Sequence, residues 1–213
     1  MPRRRVKICG LSTAATVDAA IANDASHIGL NFFAPSPRYV GLDQAAGLAA
    51  RMPDEVERVG VYVDPDDALI EASITAGRLT ALQLHKTTPV RIAAIRERTG
   101  VPIWAVVAVK TSSDLDQAAG YVGAADFILY DAKTPDDATL PGGMGVRFDW
   151  RLMDGFRSPL PWGLSGGLTP DNVADAIRQT NAPLVDVSSG VETAPGMKDA
   201  ALIMAFLKAV ASA

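Results

Sequence analysis

The strongest constraint on this chain of 213 residues is a rhythm. Short apolar runs recur throughout: VKIC (6–9), IGLNF (28–32), RVGVYV (58–63), ALQL (81–84), IWAVVAV (103–109), FILY (127–130), WGLS (162–165) and LVDV (184–187). Continuous apolar runs of this length fit strands buried on both faces. Between most of them lie alanine-rich amphipathic stretches suited to helices: TVDAAIANDA, LDQAAGLAARM, PDDALIEASITAG, PVRIAAIRERTG, DLDQAAGYV, TPDNVADAIRQT and KDAALIMAFLKAV. Several open with Thr, Asp or Pro, as helix starts do. Roughly 27 residues per strand–helix unit is the size of a compact βα repeat, and eight such units predict a closed (β/α)8 barrel. An open doubly wound sheet usually carries GxGxxG after its first strand, whereas this chain has CGLS. The weakest unit follows the sixth run, where DAKTPDDATLPGGMG (131–145) is a long loop and the helix near FDWRLMDGF is short. No low-complexity tract or linker divides the chain, so residues 1–213 are expected to form one α/β domain.

Composition narrows the function classes. A net charge of −4 lacks the electrostatic footprint of a nucleic-acid binder. The basic cluster Arg3, Arg4, Arg5 and Lys7 reads as a solvated entry to the first strand. IWAVVAV, the longest convincing apolar run, is too short to span a bilayer, and no apolar core follows the basic N-terminus. A single cysteine cannot close an internal disulfide, which favours a reducing compartment. The expectation is a cytoplasmic protein without nucleic-acid or membrane partners.

In barrels of this kind the chemistry sits at the C-terminal ends of the strands. SGGL (165–168) and SSGVE (188–192) follow the last two runs. Small residues there let backbone N–H groups cradle an anion, and these loops are the usual phosphate site of such barrels, although tight βα turns would look the same. The lone Cys9 ends the first run. It is either a small buried hydrophobe or, with a lowered pKa, a nucleophile or base, and Lys7 on the same strand face is a possible neighbour. Asp131 directly follows FILY, where desolvation would raise its pKa toward that of a general acid; the alternative is a turn cap. Arg38, in the proline-stiffened loop PSPRYV, suits a carboxylate clamp or is an ordinary surface arginine. Asp186 either meets a substrate hydroxyl or satisfies a core hydrogen bond, and His85 is either a base or a packed rim histidine. No cluster has metal-ligand spacing.

Taken in order, KICG, LNFFAPSPRYV, GVYV, LQLH, ILYDAK, GGMGVRFDW, LSGGLTPDNV and VDVSSGVE resemble the phosphoribosylanthranilate isomerase family from Lys7 to about Asp199. The resemblance implies a TIM barrel enzyme of tryptophan biosynthesis. Its reaction is a cofactor-free, metal-free Amadori rearrangement of N-(5′-phosphoribosyl)anthranilate, a phosphorylated small molecule, to 1-(2-carboxyphenylamino)-1-deoxyribulose 5-phosphate. It further implies Cys9 as general base, Asp131 as general acid, Arg38 on the anthranilate carboxylate and Asp186 near the sugar hydroxyls. The phosphate would lie around Gly166, Gly167, Ser189 and Gly190. The chain departs from the family pattern at Lys86, where glycine is usual, at Met144, at Tyr130 and in the insertion-like DDATLP.

Other phosphosugar barrels compete with this reading. An epimerase relative would use metal-binding histidines, and the chain has only His27 and His85. A synthase relative would place lysines and a glutamate at strand ends. A bifunctional enzyme that also takes an aminoimidazole ribotide would replace Cys9 with aspartate. A catalytically silent phosphate-binding barrel would not need Cys9 and Asp131. Monomer and homodimer are both compatible with the sequence.

Overall fold

The computed structural model describes residues 4–134, 142, 143 and 145–213. The expectations about Met144 and the DDATLP segment fall outside them. Eight parallel strands close a barrel in sequence order: β1 (Arg5–Cys9), β2 (His27–Asn31), β3 (Glu57–Val63), β4 (Ala81–His85), β5 (Ile103–Val109), β6 (Phe127–Ala132), β7 (Trp162–Leu164) and β8 (Leu184–Val187). Strand β8 returns to β1 with Lys7 opposite Asp186, so no sheet edge is left in the ring. The helices are α1 (Ala14–Ala22), α2 (Leu42–Ala49), α3 (Asp67–Gly77), α4 (Pro89–Thr99), α5 (Ser112–Leu115), α6 (Val173–Thr180) and α7 (Ala200–Ala211). Thr or Asp side chains cap α1, α3, α4 and α7, and two of these caps, Thr13 and Thr88, stand just ahead of the stretches read as helical. Thr13, Asp66, Thr88 and Asp199 accept hydrogen bonds from the backbone N–H groups of Thr16, Leu69, Arg91 and Leu202.

Strand periodicity explains where the site must be. Side chains alternate between the barrel interior and the helix layer. Leu82, Leu84, Ile128 and Tyr130 belong to the main core shared with the helices. Val59, Ala81, Trp104, Phe127, Leu129 and Leu184 form a separate apolar cluster, with Trp104 stacked on Phe127 at 4.4 Å. Most of these residues lie early in their strands and plug the lower end of the barrel. Two and four residues further along, the same inward parity presents Val61, Val63, Gln83, His85, Asp131 and Asp186 at the mouth. His27 belongs to the lower end, beside Trp104 at 5.4 Å, and burial pushes its pKa down to about 3.

Several boundaries differ from expectation. DLDQAAGYV is not one helix: α5 stops at Leu115 and a 3-10 turn covers Asp116–Tyr121. Asp114 spends one carboxylate oxygen on the N–H groups of Lys110 and Thr111, and Gly120 weakens further winding. Helix α6 begins at Val173 because Asn172 accepts from the Thr169 N–H, closing TPDN as a turn. The C-terminal helix begins after Lys198, which is part of a short hairpin, β9 (Glu192–Ala194) and β10 (Met197–Lys198). Pro195-Gly196 makes its turn, with Gly196 at φ +80° and too close to the Pro37 carbonyl for any side chain.

Candidate active site

A cavity opens at the mouth of the barrel. It is bordered by Cys9 from β1, Arg38 after β2, His85 from β4, Asp131 from β6, and Asp186 and Ser188 from β8. A second cavity shares Asp131, Ser165, Asp186 and Ser188 with the first, and continues to Gly166, Gly167 and Ser189. The structure therefore gathers seven of the eight expected residues around these two adjoining cavities. The eighth, Gly190, does not border them. A Cβ on Gly190 would stand 1.9 Å from the Leu168 carbonyl oxygen, so glycine there lets the loops after β7 and β8 touch.

Cys9 and Lys7 stand on the same inward face, as their two-residue spacing requires. The cysteine is buried and free. Burial pushes its thiol up from the ordinary value near 9; Lys7 opposes that shift and Asp186 adds to it. Desolvation outweighs the neighbouring cation. Gly29 leaves room for both side chains, since a Cβ there would meet Cys9 Sγ at 3.0 Å and Lys7 Cε at 3.2 Å. Lys7 is fully buried and donates from Nζ to Asp186 Oδ1 at 2.9 Å. Burial pulls its pKa down, but the charges of Asp186 and Cys9 outweigh this and hold it above the usual lysine value. Ser165 donates to the other Asp186 oxygen at 3.2 Å. Asp186 is thus hydrogen-bonded within the protein while still bordering the cavity.

Asp131 lies within β6 rather than after it, paired in register with Ala108. Its Oδ1 accepts from the Ala132 N–H at 2.9 Å. Its Oδ2 faces Gly142, where a Cβ would approach to 2.8 Å. Burial, reinforced by the charge of Asp186, raises its pKa to about 7. His85 is 2.9 Å from the Gln83 side-chain nitrogen through Nε2. Burial lowers the His85 pKa to about 4, which leaves it neutral and a poor base. Gln83 Oε1 is buried without a hydrogen-bond partner among the described residues.

Arg38 is buried, not an ordinary surface arginine. Its Nε and Nη2 donate to both oxygens of Glu192, at 2.7 and 2.8 Å, and Nη2 also donates to the Gly143 carbonyl at 2.9 Å. Lys198 Nζ lies 2.7 Å from Glu192 Oε1 and donates to the Ser188 carbonyl at 2.8 Å. Burial would raise the Glu192 pKa, but Arg38 and Lys198 together hold it below the usual glutamate range. Sequence reasoning left Glu192 and Lys198 unassigned, although Glu192 ends the quoted SSGVE; that glutamate at the end of a mouth loop was the available signal.

The N-(5′-phosphoribosyl)anthranilate (PRA) isomerase family model matches residues 6–209. The N-(5′-phosphoribosyl)anthranilate isomerase of Zymomonas mobilis subsp. pomaceae is 53% identical over 208 residues, covering 97% of each chain. The Thermotoga maritima phosphoribosyl anthranilate isomerase structure superposes with a TM-score of 0.86 at 35% identity, covering 99% of this chain and 100% of that one. A further isomerase structure, in complex with reduced 1-(o-carboxyphenylamino)-1-deoxyribulose 5-phosphate, gives 0.83 at 32% identity, with 99% and 100% coverage. By sequence along nearly its whole length, and by barrel architecture, the chain belongs to the N-(5′-phosphoribosyl)anthranilate isomerase family.

Proposed function

We propose that this isomerase of tryptophan biosynthesis uses Asp131 as general acid and Cys9 as general base, with residues 1–213 acting as one catalytic domain in the cytoplasm. The observation that carries this reading is Asp131, whose pKa of about 7 suits a proton donor near neutrality and which shares one cavity with the only thiol. The substrate phosphate rests against Gly166, Gly167 and Ser189, with Gly190 holding the two loops together. The anthranilate carboxylate reaches Arg38, and Asp186 stands beside the sugar.

The steps balance without an external oxidant. Asp131 gives its proton to the furanose ring oxygen as the C1′–O4′ bond breaks and the anilino nitrogen lone pair closes a C1′=N iminium. The Cys9 thiolate removes the C2′ proton, and the released electron pair flows to the iminium nitrogen, giving an enolamine. Loss of the enol proton and protonation at C1′ yield the 2′-ketone. C1′ is reduced while C2′ is oxidised. Lys7 beside the sulfur and the cationic iminium both favour the thiolate at the step that needs it.

The test follows anthranilate-type fluorescence as purified protein meets freshly made phosphoribosylanthranilate. Cys9→Ser and Asp131→Asn are expected to lose about 10²- to 10⁴-fold in kcat. Full activity in either variant would remove that residue's role. Absence of turnover by folded, reduced wild-type protein would overturn the whole reading and favour a silent phosphate-binding barrel.

A further inference from the structure

Arg38 borders the cavity, and with Glu192 and Lys198 it forms a cluster with almost no solvent contact: the three side chains are 6%, 4% and 1% exposed. They come from two distant parts of the chain, the loop after β2 and the hairpin that follows β8. A buried ion cluster costs desolvation, and a hydrophobic replacement would often be as stable. Its arrangement is also asymmetric. Glu192 takes the Nε–Nη2 edge of Arg38 with both oxygens, and the second Nη2 proton goes to Gly143. Among the described residues, Nη1 has no hydrogen-bond partner, and it lies toward Gly143, at the cavity wall. A guanidinium held along one edge has no freedom to swing, so its remaining N–H groups point one way.

We propose that Glu192 is a positioning residue for substrate selection: it clamps one edge of Arg38 so that the opposite end is presented to a carboxylate on the substrate's aromatic ring. This rests on the reading above that Arg38 meets that carboxylate. Lys198 has a supporting part. It balances Glu192, so the cluster as a whole keeps a positive charge, and it ties the hairpin to Ser188 through the Ser188 carbonyl and hydroxyl, at 2.8 and 3.2 Å. Ser188 in turn donates to the Cys9 carbonyl at 3.3 Å. The carboxylate clamp and the base-bearing strand are therefore joined through one hairpin. The cluster is built to discriminate a substrate with an ortho-carboxylate from the same phosphosugar amine without one.

The experiment measures two dissociation constants by titration calorimetry, which needs no turnover. One ligand is the reduced product 1-(o-carboxyphenylamino)-1-deoxyribulose 5-phosphate; the other is its phenyl counterpart lacking the carboxylate. A charge-assisted contact gives wild-type protein a preference of about tenfold or more for the carboxylated ligand. In Glu192→Gln the preference is expected to fall below about threefold, with the phenyl ligand bound within about twofold of wild type. Glu192→Asp keeps the carboxylate charge but is one methylene shorter and sets it further from the guanidinium, and gives an intermediate ratio; it carries the test if the amide variant does not fold. An unchanged ratio in either folded variant overturns the proposal, as does an equal loss for both ligands. Arg38→Lys separates the two layers. If it alone erases the preference, Arg38 binds the carboxylate without help from Glu192; if wild type shows no preference, the carboxylate reading itself falls and this proposal with it.

Discussion

Lys7 and Asp186 face each other across the seam where β1 closes onto β8, 2.9 Å apart, and neither has appreciable access to solvent. The pair sits directly beneath the proposed base. Removing one member leaves the other as an uncompensated buried charge, which costs about 3–5 kcal/mol. Lys7→Met and Asp186→Asn should each lose stability of that order, whereas the double variant should recover much of it. Urea unfolding of the four proteins checks this; simple additivity would show that the two groups are not coupled in the folded state.

Asp131 is expected to weaken the fold it serves. Its pKa rises from an ordinary 3.8 to about 7 on folding. A group raised in this way favours the folded state fully below its unfolded value, and that contribution is lost as pH climbs through the folded value. The ceiling on the loss is about 4 kcal/mol above pH 7. Asp131→Asn removes the charge and keeps an acceptor for the Ala132 N–H. The gain in Tm of Asp131→Asn over wild type should therefore be near zero at pH 4, grow toward pH 7 and then level off. A difference that stays flat across this range would contradict the raised pKa.

Lys86 holds a backbone conformation that costs side chains dearly. It follows His85 with φ at +53°, in the left-handed region. A non-glycine residue there costs about 1–2 kcal/mol, part of which glycine gives back through the entropy of the unfolded chain. Lys86→Gly should raise stability by up to about 1 kcal/mol, read as a higher urea midpoint at unchanged slope. A lower midpoint would mean that the lysine side chain contributes more than its backbone costs. The same observation gives physical content to the glycine usual after LQLH in the family.

The barrel was legible because its signal is repetitive: eight apolar runs, each near its final strand to within a residue or two. The site was legible wherever a reactive side chain ended a run, as Cys9 and Asp131 do. Interactions between distant segments were not. Nothing local in ETAPGMK announces a hairpin, and nothing near Arg38 announces that its partner lies 154 residues away. The direction of the thiol pKa shift was not legible for a related reason. Cation proximity can be guessed from a two-residue spacing, but the depth of burial that overrides it depends on all eight strands at once. His85 shows the same limit, since its neutrality follows from burial.

The contact between the loops after β7 and β8 has a consequence for how this enzyme can change. The proposed anion cradle rests on two main-chain loops in contact, where a methyl group on Gly190 would stand 1.9 Å from the Leu168 carbonyl oxygen. Main chain cannot be deleted by a codon change; it can only be obstructed. Mutation can therefore close this end of the cavity but has little scope for retuning it. The opposite end carries Arg38, backed by a glutamate and a lysine, and each of these side chains can be exchanged one at a time. A descendant of this protein that took a new substrate would be expected to keep the phosphate and alter what is attached to it.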